Sequence, residues 1–138
     1  MKNQTKTREE LLKNIHRIVV KVGTSTLTTE DGNLDIDKIK KIALELSNLS
    51  NKGYDVALVT SWAVGAGMGV LGIEERPKTL TEKQAVSAIG QVSLMHLYQT
   101  FFHEHGKVIE QLLLTKGEFS DRRRYLNARN VCNTLLNR

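Results

Sequence analysis

Short apolar runs alternate with amphipathic stretches along the chain. Arg17 to Val22 reads RIVVKV, a β-branched run of strand length that is interrupted by one lysine and closed by Gly23. From Asp35 to Lys52 the residues Ile36, Ile39, Ala43, Leu46 and Leu49 recur at helical spacing, which predicts an amphipathic helix, and Gly53 stands where a helix usually stops. Val56 to Thr60, VALVT, predicts a second strand, so the three segments form a strand–helix–strand unit whose strands lie parallel. Thr79 to Glu82, TLTE, has the capping-box pattern just after Pro77. The apolar series Val86, Ile89, Val92, Met95 and Phe102 then predicts a long helix running towards Gly106. Val108 to Leu114, VIEQLLL, reads as a third strand, and Asp121 onwards as a helix carrying Leu126, Val131 and Leu135. The pattern is α/β, a parallel sheet with helices packed on it.

Composition narrows the picture. The chain has 138 residues, 40% of them hydrophobic and 25% charged, which suits one folded domain with its own core. No apolar run approaches the ~18 residues of a membrane span. The polar start MKNQTKTREELLKN lacks the apolar block of a signal peptide, and the single cysteine, Cys132, excludes an internal disulfide. A cytoplasmic location is the expectation. The net charge of +5 could attract phosphate esters, but basic and acidic residues are interspersed along most of the chain.

In open α/β sheets ligands bind at the carboxyl ends of parallel strands, so the residues just after each strand are the places to look. Two ends stand out. In KVGTSTLT, Lys21 to Thr28, a lysine inside an apolar strand is followed by Gly23, Thr24, Ser25 and Thr26. Small residues let backbone N–H groups approach an anion, and a lysine with hydroxyls can complete a phosphate site. The Walker A spacing is absent, and an ordinary loop is the plain alternative. In VALVTSWAVGAGMGVLG, Ser61 follows the strand, then come Trp62, the only tryptophan, and a run of Ala63, Gly65, Ala66, Gly67 and Gly69. Either a helix starts here and aims its N–H groups at an anion, with Ser61 as cap or ligand, or a glycine-rich helix packs closely on the sheet.

The blocks KVGTSTLT, LVTSWAVGAGMGVLG, RPKTLTEKQAVSAIGQ and LLLTKGEFSDRRRYLNARN follow one another here in the order found in the glutamate 5-kinases, and from about Arg17 to Leu136 the chain resembles that branch of the amino acid kinase family. The resemblance implies an αβα sandwich with a parallel sheet core, here truncated. Residues 1–16 would be a polar N-terminal extension and residues 17–138 the amino-acid-substrate part, with the nucleotide-binding half absent. It implies transfer of the ATP γ-phosphate to the side-chain carboxylate of L-glutamate, with Mg2+, giving L-glutamyl 5-phosphate in the first step of proline biosynthesis. By resemblance Lys21 is catalytic and contacts the ATP phosphates, while Gly23 and Thr24 line the phosphate path with backbone and hydroxyl groups. Ser61 matches a glutamate-binding serine, and Trp62 and Ala63 after it are assigned to the same substrate-binding segment. Trp62 replaces the family's glycine, so its indole either obstructs the glutamate site, distorts the turn, or packs on a neighbouring element.

With the second half missing, neither ATP nor Mg2+ is expected to bind tightly, and the chain alone is expected to be inactive. The partners implied are L-glutamate, ATP and further copies of the chain, with no nucleic acid and no membrane. The alternative is a non-catalytic remnant, acting as a weak glutamate-binding or self-associating module. His96, His103 and His105 lack tight metal-ligand spacing and are read as helix residues, so no metal site is assigned. Arg122, Arg123, Arg124 and Arg129 form a basic helix start without the aromatic residues that stack on bases. They are expected to pair with acidic residues or stabilise the fold.

Overall fold

The structure is a computed structural model and describes residues 7–29 and 33–137. After a short helix α1 (Arg8–Leu12), strand β1 (Arg17–Val22) enters, and helix α2 (Ile36–Asn51) returns the chain to strand β2 (Asp55–Thr60). The strands pair in parallel, from Arg17 opposite Asp55 to Val22 opposite Thr60. Alternation along each strand sends Val20, Val22, Val56 and Leu58 to the core. On the other face Val19 is 63% and Val59 50% exposed. Lys21 lies on that open face, which explains how a charge is tolerated in an apolar run: its ammonium never leaves water.

Helix α2 begins where the spacing predicts. The Asp35 side chain accepts from the backbone N–H of Lys38 at 3.1 Å, and that bond holds its carboxyl below the usual range. The helix gives way at Lys52 to Gly53, whose φ of 88° only glycine adopts freely. It buries Ile39, Ala43 and Leu46.

Helix α3 (Ala63–Leu71) and helix α4 (Leu80–His103) form the tightest pair in the molecule. A Cβ at Gly67 would lie 1.9 Å from the Val86 carbonyl oxygen, and one at Gly90 would lie 1.9 Å from that of Ala63. Backbone therefore meets backbone, which only glycine permits. Within the glycine-rich run Gly67 serves close packing, and its partner is α4 rather than the sheet, while Gly65 lies under the Trp62 ring and Gly69 is open. Helix α4 opens with the capping box read from the sequence, Thr79 with Glu82. Its buried row is Val86, Gly90, Leu94, Tyr98 and Phe102, spaced by fours, whereas Ile89 and Val92 of the expected series are 40% and 73% exposed. Steps of three rotate by about 60° each and carry a series off the packed face, while steps of four drift by about 40°.

Helices α5 (Lys116–Ser120) and α6 (Arg122–Leu136) close the described chain, α6 starting at Asp121, whose side chain caps the N–H of Arg124 at 2.8 Å. The third strand is not formed. Residues 108–114 run without secondary structure and pair with no strand among the described residues. A strand exists only as part of a ladder, and apolar composition alone supplies no partner. No helix among the described residues is long and apolar enough to cross a membrane.

Candidate active site at the strand ends

Parallel pairing brings the carboxyl ends of β1 and β2 side by side, so the two segments singled out in the sequence become neighbours. After β1 the chain passes Gly23 into a tight 3-10 turn, Thr24–Thr26. The Lys21 ammonium folds towards this turn: its Nζ is 3.4 Å from where a Cβ on Gly23 would stand. A Cβ at 23 would touch that ammonium at ordinary contact distance. The Thr24 hydroxyl donates to the Ser61 carbonyl oxygen at 2.6 Å, joining the two strand ends across 37 positions of sequence.

Just before Ser61, the Thr60 hydroxyl meets the Tyr98 hydroxyl at 3.0 Å. Tyr98 is 2% exposed, and burial pushes its phenol above the usual range, the Thr60 bond pulling partly back. Neither Thr60 nor Tyr98 is singled out by the sequence reading. The available signal is a tyrosine at a core position of a helix, whose hydroxyl must find a partner.

Ser61 is exposed, and its hydroxyl makes no hydrogen bond among the described residues. It does not cap α3: the N-cap is Trp62, which has no side-chain capping bond. One residue of offset removes Ser61 from the capping position, and this leaves its hydroxyl available. Trp62 has φ −144° and ψ 11°, so the indole is accommodated without the backbone region reserved for glycine. The ring is 8% exposed and belongs to the core cluster. It lies over Gly65, where a Cβ would stand 2.7 Å from Cε2. Ala63 opens α3, and its carbonyl faces Gly90 of α4.

The remaining candidates are not drawn to this place. No group of three or more His, Cys, Asp or Glu among the described residues is arranged to hold a metal ion. The ion pairs within 4.0 Å among the described residues are Arg17–Asp55, Lys38–Asp35 and Lys78–Glu75, so of their two expected roles Arg122, Arg123, Arg124 and Arg129 do not fill the first. The Glu118 carboxyl, held low first by the Thr115 side chain, is nevertheless also lowered by the charge of Arg124. The four arginines sit on a helix with no buried residue, where an exposed charge gains little from a fixed carboxylate partner.

Residues 16–138 match the amino acid kinase family, and the chain belongs to it. Within that family it is similar to glutamate 5-kinases. It is 56% identical over 120 residues to the Glutamate 5-kinase of Caldanaerobacter subterraneus subsp. tengcongensis, covering 87% of this chain and 32% of that protein. The Glutamate 5-kinase of Thermoanaerobacter pseudethanolicus is 55% identical over the same shares. That of Clostridium tetani is 50% identical over 131 residues, covering 95% of this chain and 49% of its relative. The chain thus spans between about a third and a half of these relatives' lengths.

Proposed function

We propose that this chain supplies the amino-acid side of a glutamate 5-kinase reaction, with L-glutamate held at Ser61 and the ATP γ-phosphate approached by Lys21. The observation that carries the reading is the junction of the two strand ends, where the Lys21 ammonium lies by the Gly23 turn and the Thr24 hydroxyl links that turn to the backbone of the exposed Ser61. The chemistry is compatible. The side-chain carboxylate of glutamate, with a pKa of about 4.3, is already a nucleophile at neutral pH and needs no general base. One of its oxygens forms a bond to the γ-phosphorus as the bond from that phosphorus to the β–γ bridging oxygen breaks, and ADP departs with the electron pair.

What the protein contributes is position and positive charge. Lys21 offers the charge, and the backbone at Gly23 and Thr24 the lining. The residues present fit a phosphate group, since a solvent-facing ammonium stands over a glycine. They do not supply a magnesium site among the described residues, and no step is assigned to that ion.

The test is an NMR titration of the chain with L-glutamate, L-aspartate and ATP in turn. L-Glutamate should shift the amides of residues 61–66 more strongly than L-aspartate does, and ATP should shift those of residues 21–24. Ser61→Ala should weaken the first response and Lys21→Ala the second. Responses confined to other surfaces, or variants that respond like the parent, would overturn the assignment.

A further inference from the structure

We infer that Thr24 is a positioning residue for Ser61, a strap between the two strand ends rather than a phosphate ligand through its side chain. The inference rests on reading Ser61 as the glutamate-binding serine, and it changes the role given to Thr24 by resemblance. A threonine hydroxyl has one proton to donate. In this structure that proton goes to the Ser61 carbonyl oxygen at 2.6 Å. Ionised phosphate oxygens only accept, so the same hydroxyl cannot also donate to a nucleotide while the strap is closed.

Ser61 needs such a strap. It is exposed, it caps no helix, and its own hydroxyl makes no bond among the described residues. Its position therefore depends on its backbone. On the core side the strand is pinned as far as Thr60, by the buried Tyr98 hydroxyl. On the opposite side of the peptide that follows, Trp62 is fixed by burial of its indole. Between these two anchors the Ser61 carbonyl is the group free to rotate, and Thr24 holds it. Without that bond the peptide between Ser61 and Trp62 can turn and the path of the chain leaving Ser61 is no longer fixed, so a bond made in the loop after β1 sets the geometry of the loop after β2.

The test compares the full chain with Thr24→Val, Thr24→Ala and Thr24→Ser. Thr24 is exposed, so folding should survive each change. Valine and alanine should shift the amide signals of Ser61 and Trp62 and the indole N–H of Trp62, with the signals of α2 and α4 unmoved. They should also weaken L-glutamate binding about fivefold, the effect of one net hydrogen bond. Serine, which keeps the donor, should restore both. ATP-induced shifts at Lys21 should persist in every variant. Unmoved Ser61 and Trp62 signals in Thr24→Val and Thr24→Ala would overturn the strap, as would loss of the ATP response with glutamate binding intact. A parent chain that ignores L-glutamate would defeat the reading of Ser61, while the ligand-free signals still decide whether Thr24 holds the turn.

Discussion

The chain on either side of Gly106 uses its apolar residues in opposite ways. Before it, Val22, Leu27, Ile39, Ala43, Leu46, Trp62, Leu94, Tyr98, Phe101 and Phe102 gather into one buried cluster. After it, Val108 is 85%, Leu113 72% and Phe119 66% exposed, α6 buries no residue, and Ile109 packs against the cluster only as a partly buried residue. The local chemistry is nevertheless similar in quality. Helix α5 starts with a capping box, Thr115 with Glu118, just as α4 starts with Thr79 and Glu82. Capping decides where a helix begins, and it does not provide a surface to pack against. Stability should therefore be concentrated before Gly106, together with the strand-end junction.

The sharpest way to break this comparison is to introduce one methyl group into each part. Gly90→Ala places a Cβ 1.9 Å from the Ala63 carbonyl oxygen and 2.2 Å from the Gly67 nitrogen, so α3 and α4 must separate. The expected loss is about 4 kcal/mol or more, a large share of a domain's stability, and thermal unfolding should lose its cooperative step. Gly117→Ala in α5 meets only side-chain atoms, the nearest being an Arg124 guanidinium nitrogen at 3.2 Å, which can move. It should alter stability by no more than about 0.5 kcal/mol. Equal effects would mean that the second part is as tightly integrated as the first.

Next in size is Trp62→Gly, which joins stability to the site. Removing a buried indole should cost about 3–5 kcal/mol, read from the urea midpoint. If the ring also crowds the glutamate position, L-glutamate binding should tighten in the same variant. Unchanged binding with lowered stability would leave Trp62 as a core residue only.

The two capping boxes allow a finer test. Backbone and side-chain hydrogen bonds from Thr79 hold the Glu82 carboxyl below its usual range, and bonds from Thr115, its side chain first, do the same for Glu118. A depressed carboxylate pKa contributes stability that is present above the unfolded value, about 4.3, and is lost as the pH falls through the lower folded value. Global stability should therefore fall below about pH 4. Glu82→Gln should flatten this acid loss, because α4 belongs to the core. Glu118→Gln should leave the global midpoint's pH dependence nearly unchanged, because α5 can fray alone. Identical pH profiles for the two variants would contradict the division at Gly106.

The same division explains what was legible in the sequence. RIVVKV and VALVT were readable as strands because each has one face to bury and a partner one helix away. The Thr79–Glu82 cap and the Asp35 start were readable because their donors and acceptors lie within one turn. VIEQLLL was misread because apolar β-branched character is necessary for a strand and a ladder partner is not encoded in the segment itself. At the site, Lys21 stood out as a charge inside an apolar strand, and Gly23, Thr24 and Ser61 by their place after strands. The bond from Thr24 to Ser61 and the bond between Tyr98 and Thr60 join residues 37 and 38 positions apart. Such pairs appear only once the parallel register and the α4 packing are known. The glycine run could be read as an anion-binding helix start or as packing, and the contact at Gly67 accounts for that glycine by packing on α4.

The smallest expected effect concerns a hydrogen bond that joins the two parts through Arg17. Its guanidinium bonds the Asp55 carboxylate at 3.1 Å and the Asn133 side-chain oxygen at 3.1 Å, linking the start of the sheet to α6. Asn133→Ala removes the second bond and leaves the first. An exposed hydrogen bond is worth about 1 kcal/mol or less, so the global midpoint should barely move. Local opening of α6 should increase by about two- to fivefold, because a helix of about 15 residues is marginal without tertiary contacts. Limited proteolysis reads this directly, as faster cleavage within residues 107–137 while the part before Gly106 stays intact. Cleavage that accelerates throughout the chain would show that α6 supports the core, and the boundary at Gly106 would then have no energetic meaning.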